Sequence, residues 1–182
     1  EKDKRFAFTV EFFPEEGKYH FDGHRNCNFS CAPSKSKELK GVCPRCSRDL
    51  TIGVMNRVEQ LADRPDGYAP QRAIPFKSLV PLSELIAALL NSTPYSKNVW
   101  EVYSKLISLF SSELNVLLSA PADELEKVVE RRIAELIIKN RNGNVTIKPG
   151  YDGVYGKLIL DGEVSAKDEI TIENKNNLKR FL

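Results

Sequence analysis

Histidine is scarce in these 182 residues: there are two, His20 and His24, four positions apart. A nucleophile–base pair or a multi-histidine metal centre therefore has little to draw on outside that stretch. No glycine-rich loop of the Walker type occurs, which removes the commonest phosphate cradle of nucleotide hydrolases. No apolar run approaches the length that crosses a bilayer, and no apolar leader opens the chain, so neither a membrane role nor secretion is expected. Internal repeats and low-complexity tracts are missing as well. With 41% hydrophobic and 29% charged residues, the composition is that of an ordinary water-soluble fold. The chain starts at Glu1 without Met and in mid-element, and reads as a fragment of a longer protein. A cytoplasmic, nucleoid-associated location is expected.

Cysteine is also rare, yet all four fall within twenty residues: Cys27, Cys31, Cys43 and Cys46, as C-x3-C-x11-C-x2-C. The second pair reads Cys-Pro-Arg-Cys, a tight turn that aims two thiolates at one point. Two such turns a short loop apart supply four soft ligands for one tetrahedral Zn²⁺. A full protein ligand set leaves no open position for water, so the ion is expected to be structural. Two disulfides are another use of the same residues, and a redox Cys-x-x-Cys a third, but Cys43 does not head a helix pattern. Because the first pair is one residue wider than the commonest spacing, His24 is an alternative ligand to one of the cysteines. The run Asp22–Gly23–His24 looks like an Asp-x-His metal pair, though no further His or carboxylate partners accompany it.

The charge is uneven. The formal net charge is +2, but residues 25–48 carry six bases against the single acid Glu38. Even after four thiolates and Zn²⁺ add two negative charges, this small knuckle stays positive. Arg25, Lys35, Lys37, Lys40, Arg45 and Arg48 are therefore candidate contacts to a nucleic-acid backbone, where counterion release drives binding. A solvated surface is the plainer use of the same residues.

The spacing of apolar residues predicts an α+β architecture. A small zinc ribbon (1–54, with a leading strand at 5–13) joins a helical domain (55–142). A short β appendage with the C-terminal tail completes the chain (143–182). Helices are expected at 55–63, from Pro81, from Ser96 and from Pro121, with Leu82, Leu85, Ile86, Val99, Leu106, Ile133 and Ile137 among the buried positions. Acids and bases balance over 81–141, so these helices read as scaffold. Strands are expected at 145–148, 156–160 and 169–172. Between the first two lies Pro149–Gly156, whose glycines predict a mobile loop. Its tyrosines, Tyr151 and Tyr155, are candidates for stacking on an exposed base.

Several strings resemble one family. They are Glu15–Cys27 (EEGKYHFDGHRNC), Arg57–Pro65 (RVEQLADRP), Ser78–Leu82 (SLVPL) and Pro149–Gly156 (PGYDGVYG). Together, over about residues 5–160, they are similar to the C-terminal half of endonuclease Q, a DNA-repair nuclease whose N-terminal part is a PHP domain. The resemblance implies a parent metal-dependent endonuclease that nicks double-stranded DNA 5′ of deaminated bases (uracil, hypoxanthine) and of abasic sites. It also implies that catalysis belongs to the PHP domain of the same protein while this half grips DNA. The PHP ligand set is not in this sequence, so no catalytic residue is assigned and the chain alone is expected to be inactive. The tail Lys175–Leu182 is similar to the terminal peptide with which repair enzymes dock on the sliding clamp. Leu178, Phe181 and Leu182 have the spacing of one helical turn. A zinc-ribbon adaptor that docks on the clamp is the competing reading.

Overall fold

The computed structural model describes residues 7–65 and 67–160. The strand expected at 169–172 and the clamp-like tail with Leu178, Phe181 and Leu182 lie outside the described residues. In chain order come β1 (Thr9–Glu11), β2 (Asp22–His24), β3 (Phe29–Cys31), α1 (Pro33–Glu38) and α2 (Val54–Leu61). β4 (Phe76–Ser78) then leads into α3 (Leu82–Leu89), α4 (Lys97–Phe110), α5 (Glu113–Leu118), α6 (Ala122–Glu126) and α7 (Arg131–Arg141). β5 (Thr146–Lys148) and β6 (Lys157–Ile159) come last. The fold class is α+β. Among the described residues the strands pair as three two-stranded sheets: β1 with β4, β2 with β3, and β5 with β6.

The described residues sort into two compact units, each built from stretches that are not consecutive in the chain. One takes Phe13–Pro75 and the described residues from Ile147; the other takes Phe8–Phe12 and Phe76–Thr146. Backbone pairing explains the arrangement. β1 runs parallel to β4 in the register Thr9↔Phe76, Val10↔Lys77, Glu11↔Ser78, so the leading strand belongs with the helices. The segment after β5 bonds instead to residues 15–21 of the ribbon: the Gly150 amide donates to the Glu15 carbonyl at 2.8 Å and the Phe21 amide to the Gly150 carbonyl at 3.0 Å.

In the helical unit the expected stripes are the core. Leu82, Leu85, Ile86, Val99, Leu106, Val116, Leu125 and Ile137 are sealed from solvent, and burying side chains of this size is the main term holding helices together. Helix boundaries depart from the periodicity in two places. Ser111 turns left-handed (φ 69°) and ends α4, after which Ser112 Oγ accepts the Asn115 amide at 3.2 Å and opens the extra helix α5. The single helix expected from Pro121 is broken into α6 and α7. The amides of Val128 and Val129 close on the Leu125 carbonyl, and Glu130 is extended (φ −56°, ψ 142°) before α7 begins. Two successive β-branched residues resist the helical rotamer at this point.

Three polar side chains tie the helices together. Glu113 Oε1 accepts the amide of Leu82 at the start of α3 (2.8 Å) and Oε2 accepts the Tyr103 hydroxyl (2.9 Å). Arg141 donates to the carbonyls of Val116, Leu117 and Ala120 at 2.8–2.9 Å, satisfying the open end of α5. Asn140 is fully buried: its Oδ1 accepts the Val80 amide and its Nδ2 donates to the Val80 carbonyl, both at 3.0 Å. An unmet buried polar group costs roughly 1–3 kcal/mol. Asn140→Ala, which strands two of them, should therefore destabilise the helical unit by about 2–4 kcal/mol in denaturant unfolding followed by circular dichroism. A loss below about 0.5 kcal/mol would show that water replaces the side chain.

Candidate metal centre and basic surface

The ribbon unit starts from a backbone that bends sharply. β2 and β3 form a hairpin in the register Asp22↔Cys31, Gly23↔Ser30, His24↔Phe29. Between them a 3₁₀ turn over Arg25–Cys27 closes on Asn28, which sits in the left-handed region (φ 47°). The second turn is built alike: the Cys43 amide donates to the Arg48 carbonyl (2.7 Å), the Ser47 amide to the Cys43 carbonyl (2.9 Å), and Ser47 is left-handed (φ 58°). Cross-bonds of 2.8–2.9 Å between Gly23 and Thr51 bring the strand that leaves the second turn against β2.

Two turns so placed bring together the ligand atoms of His24, Cys27, Cys43 and Cys46, all within 4.8 Å of one another. Ligand atoms on a tetrahedron with Zn–S bonds of about 2.3 Å lie about 3.8 Å apart, so the group needs only a small contraction to hold the ion. Three thiolates and one imidazole are a common structural zinc set, and these residues fit it. His24 Nδ1 already lies 3.3 Å from Cys46 Sγ. Shared hydrogen bonding with Cys46, with burial second, pushes the Cys27 thiol up to about 11. At Cys43 burial works against ionisation, but the amides of Arg45 and Cys46 and the side chains of His24 and Cys46 bring the thiol down to about 6. The ion would lock the two turns together, with all four positions taken by protein.

Cys31, expected as the fourth cysteine ligand, lies elsewhere. It is not in this group: at the end of β3 it is 4% exposed and packs with Cys43 and Leu50 as part of the ribbon's small apolar core. Burial, with the nearby Asp22 carboxylate second, pushes its thiol up to about 11, as shared hydrogen bonding does for Cys27. His24, the alternative ligand, is the residue that stands beside the other three cysteines. The signal was present as His24-x2-Cys27, the same interval as Cys43-x2-Cys46. The neighbouring Asp22 is a fully buried support: its oxygens accept the Gly53 amide at 2.7 Å and Asn56 Nδ2 at 2.8 Å, holding the start of α2 against β2. His20 is buried, and burial lowers its pKa against the pull of Glu15 and the Pro14 carbonyl.

The six bases are all accessible but differently occupied. Lys35 pairs with Glu38 at 2.6 Å and Lys37 with Glu59 at 2.7 Å, both on the surface, where such pairs are weak. Arg45 Nη1 donates to the Cys27 carbonyl at 2.6 Å, joining the two turns beside the metal ligands. Among the described residues Lys40 and Arg48 have no carboxylate partner. With His24 as a ligand in place of a thiolate, the segment is one charge more positive than the four-cysteine reading gives.

The loop after β5 is not the mobile segment expected. Gly153 and Gly156 donate to the carbonyls of Lys18 and Glu16 at 2.9 and 3.0 Å. Asp152 accepts the Arg25 amide (2.7 Å) and the Thr51 hydroxyl (2.6 Å). Burial opposes ionisation of that carboxyl, yet these two donors hold it below its usual range. Gly156 is glycine for space: a Cβ there would run into the Glu15 carbonyl. Tyr151 is 6% exposed, lies against Gly23, and donates its hydroxyl to Asn28 Oδ1 at 2.8 Å. Its ring is interior and has no face free for a base. Tyr155, 66% exposed, keeps its ring in solvent.

Substitution separates the two ligand sets. Cys27→Ser, Cys43→Ser, Cys46→Ser and His24→Ala should each weaken zinc binding beyond the roughly 10–100-fold that losing a hydrogen-bond partner of a ligand costs. Cys31→Ser should still bind one ion per chain with near-normal affinity. Chelator competition with a colorimetric zinc indicator reads this directly; zinc loss in Cys31→Ser with retention in His24→Ala would restore the four-cysteine set.

Residues 81–144, within the helical unit, match the family described as the MJ0043 C-terminal domain. Over 162 residues the chain is 32% identical to the uncharacterised protein MJ0043 of Methanocaldococcus jannaschii, a span covering 88% of this chain and 20% of that protein. The lesion-specific endonuclease PfuEndoQ from Pyrococcus furiosus is similar in structure, with a TM-score of 0.74 and 28% identity, covering 87% of this chain and 40% of that one. Endonuclease Q in complex with a 27-mer duplex substrate carrying an abasic lesion at the active site gives a TM-score of 0.73 and 29% identity, covering 93% and 42%. The chain thus spans from a fifth to about two fifths of the length of these relatives. In sequence and in structure it resembles the C-terminal half of endonuclease Q, which relates it to the DNA-repair nucleases.

Proposed function

We propose that this chain is the DNA-gripping part of a lesion-specific repair endonuclease, with the metal-organised ribbon as its backbone-binding face. The observation that carries the reading is the His24–Cys27–Cys43–Cys46 centre surrounded by accessible bases. One Zn²⁺ there fixes Arg25, Arg45 and Arg48 on or beside a rigid turn pair, with Lys40 just past the end of α1 on the same ribbon, so little side-chain scaffold has to order on binding. The structural likeness to an endonuclease held on a duplex with an abasic lesion supports the same reading. The full-length protein, on this account, nicks double-stranded DNA 5′ of deaminated bases and abasic sites through an N-terminal PHP domain, and the present chain does no chemistry alone. The terminal peptide with Leu178, Phe181 and Leu182 would add docking on the sliding clamp; deleting it should remove the chain from a clamp pull-down without changing DNA affinity.

Phosphate contacts are read by salt. If Arg25, Lys40, Arg45 and Arg48 each meet one phosphate, log affinity should fall against log salt with a slope of roughly −4 in fluorescence anisotropy. Lys40→Ala and Arg48→Ala should each lower the slope by about one unit on any duplex sequence. Binding that ignores salt, or no binding at low salt, would overturn the reading.

A further inference from the structure

Helix α2 is inside out. Its apolar side chains Val54, Val58 and Leu61, at the i, i+4, i+7 spacing of one helical stripe, are 62%, 48% and 62% exposed, and Ile52 just before them is 55% exposed. The residue that α2 buries is the polar Asn56, on the opposite side of the helix. Polar bonds hold that side down: Asn56 Nδ2 donates to the buried Asp22 carboxylate at 2.8 Å, and Gln60 Nε2 donates to Asn56 Oδ1 at 2.8 Å. The first turn is pinned through its backbone as well. The amides of Gly53, Val54 and Met55 donate to the Asp22 carboxylate, the Tyr19 carbonyl and the His20 carbonyl at 2.7–3.1 Å. A Cβ on Gly53 would run into the Phe21 backbone, so the chain enters the helix in close contact with it. The stripe therefore cannot roll inward without breaking these bonds.

We infer that the stripe of Ile52, Val54, Val58 and Leu61 is the seat of the N-terminal part of the same polypeptide, which sets an apolar groove against it. This rests on the reading of the chain as one part of a larger endonuclease and goes beyond it by naming the contact. An outward apolar stripe of this spacing is what a helix presents to a hydrophobic groove, and soluble proteins seldom leave a contiguous apolar patch uncovered. The size of the patch selects the occupant. Two free copies of the chain would need to bury on the order of 1,000 Å² to stay paired, well beyond what four aliphatic side chains supply. A domain carried on the same polypeptide needs far less, because the tether holds it at an effective concentration of about millimolar. The relatives carry polypeptide of the required length: the matched span takes 40% of the chain of PfuEndoQ, and the rest lies outside it. DNA is a poor occupant, since an uncharged stripe gives a phosphate backbone nothing to pair with.

The test compares this chain, loaded with zinc, with the full-length parent protein, both free of DNA, by hydrogen exchange resolved to α2. Exchange across Val54–Leu61 should be at least about tenfold slower in the full-length protein than in the chain alone. Val58→Gln combined with Leu61→Gln, polar residues that suit an exposed helix, should abolish that protection. The same pair should leave the zinc content of this chain unchanged and its duplex affinity within about twofold. Equal α2 exchange in the two wild-type proteins overturns the docking, while leaving the ribbon's grip on DNA intact. Protection that survives the double glutamine variant overturns it as well, since it would not come from the stripe. A dimer of the chain alone in sedimentation, lost in the double variant, puts a second copy on the stripe and overturns the docking in favour of that copy. Protection that appears only after duplex is added makes the stripe a DNA contact and overturns it too. If the chain fails to bind duplex at low salt but α2 is protected in the full-length protein, the DNA-gripping reading falls and the docking stands.

Discussion

The ribbon unit hangs on the convergence of four donors from two turns. Its own apolar core is small: Cys31, Cys43 and Leu50 buried, with Cys27, Phe29 and Leu39 partly covered. So little buried surface cannot by itself offset the entropy of fixing a loop-rich segment. A metal held by His24, Cys27, Cys43 and Cys46 would close both turns at once, and folding and ion binding would then be one equilibrium. Neighbouring segments inherit that geometry. Asp22, beside the first turn, fixes α2; Arg25, within it, fixes the Asp152 loop through its amide.

The same constraint shapes the electrostatics. Arg25, Arg45 and Arg48 sit on or beside the ligand-bearing turns, so their positions are set by the centre itself. Arg45 adds a bond to the Cys27 carbonyl. The helical unit is organised by a different kind of interaction. There a continuous apolar core is joined by neutral or internally paired polar ties from Asn140, Glu113 and Arg141. Charge is concentrated where the four donors converge and dispersed where the helices are. On the proposed function, that division separates the phosphate-binding surface from the scaffold.

Helices are the most legible part of this sequence. The stripes Leu82–Leu85–Ile86–Leu89 and Val99–Tyr103–Leu106–Phe110 have the helical period, and α3 and α4 lie where it puts them. Periodicity alone does not reveal the stop at Val129–Glu130, because the apolar positions on either side stay in phase across the break. The metal ligands are half legible. Cysteine count draws attention to Cys31, while the equal intervals of His24-x2-Cys27 and Cys43-x2-Cys46 pick out the four residues that the fold brings together. The composition of Pro149–Gly156 suggests freedom, and the opposite holds. Gly150 and Gly156 let two backbones touch, which composition cannot distinguish from flexibility until the neighbouring segment, Glu15–Lys18, is in place.

On the proposed function, a metal held by His24, Cys27, Cys43 and Cys46 makes the DNA-binding surface, and one preparation tests this most directly. Its duplex binding would be measured before zinc removal, after chelation, and after zinc is restored. Affinity should be lost on chelation and recovered with one equivalent of Zn²⁺, while the circular dichroism of the helical unit changes little. Undiminished DNA binding by the zinc-free chain would contradict the claim, and would move the binding surface away from the ribbon.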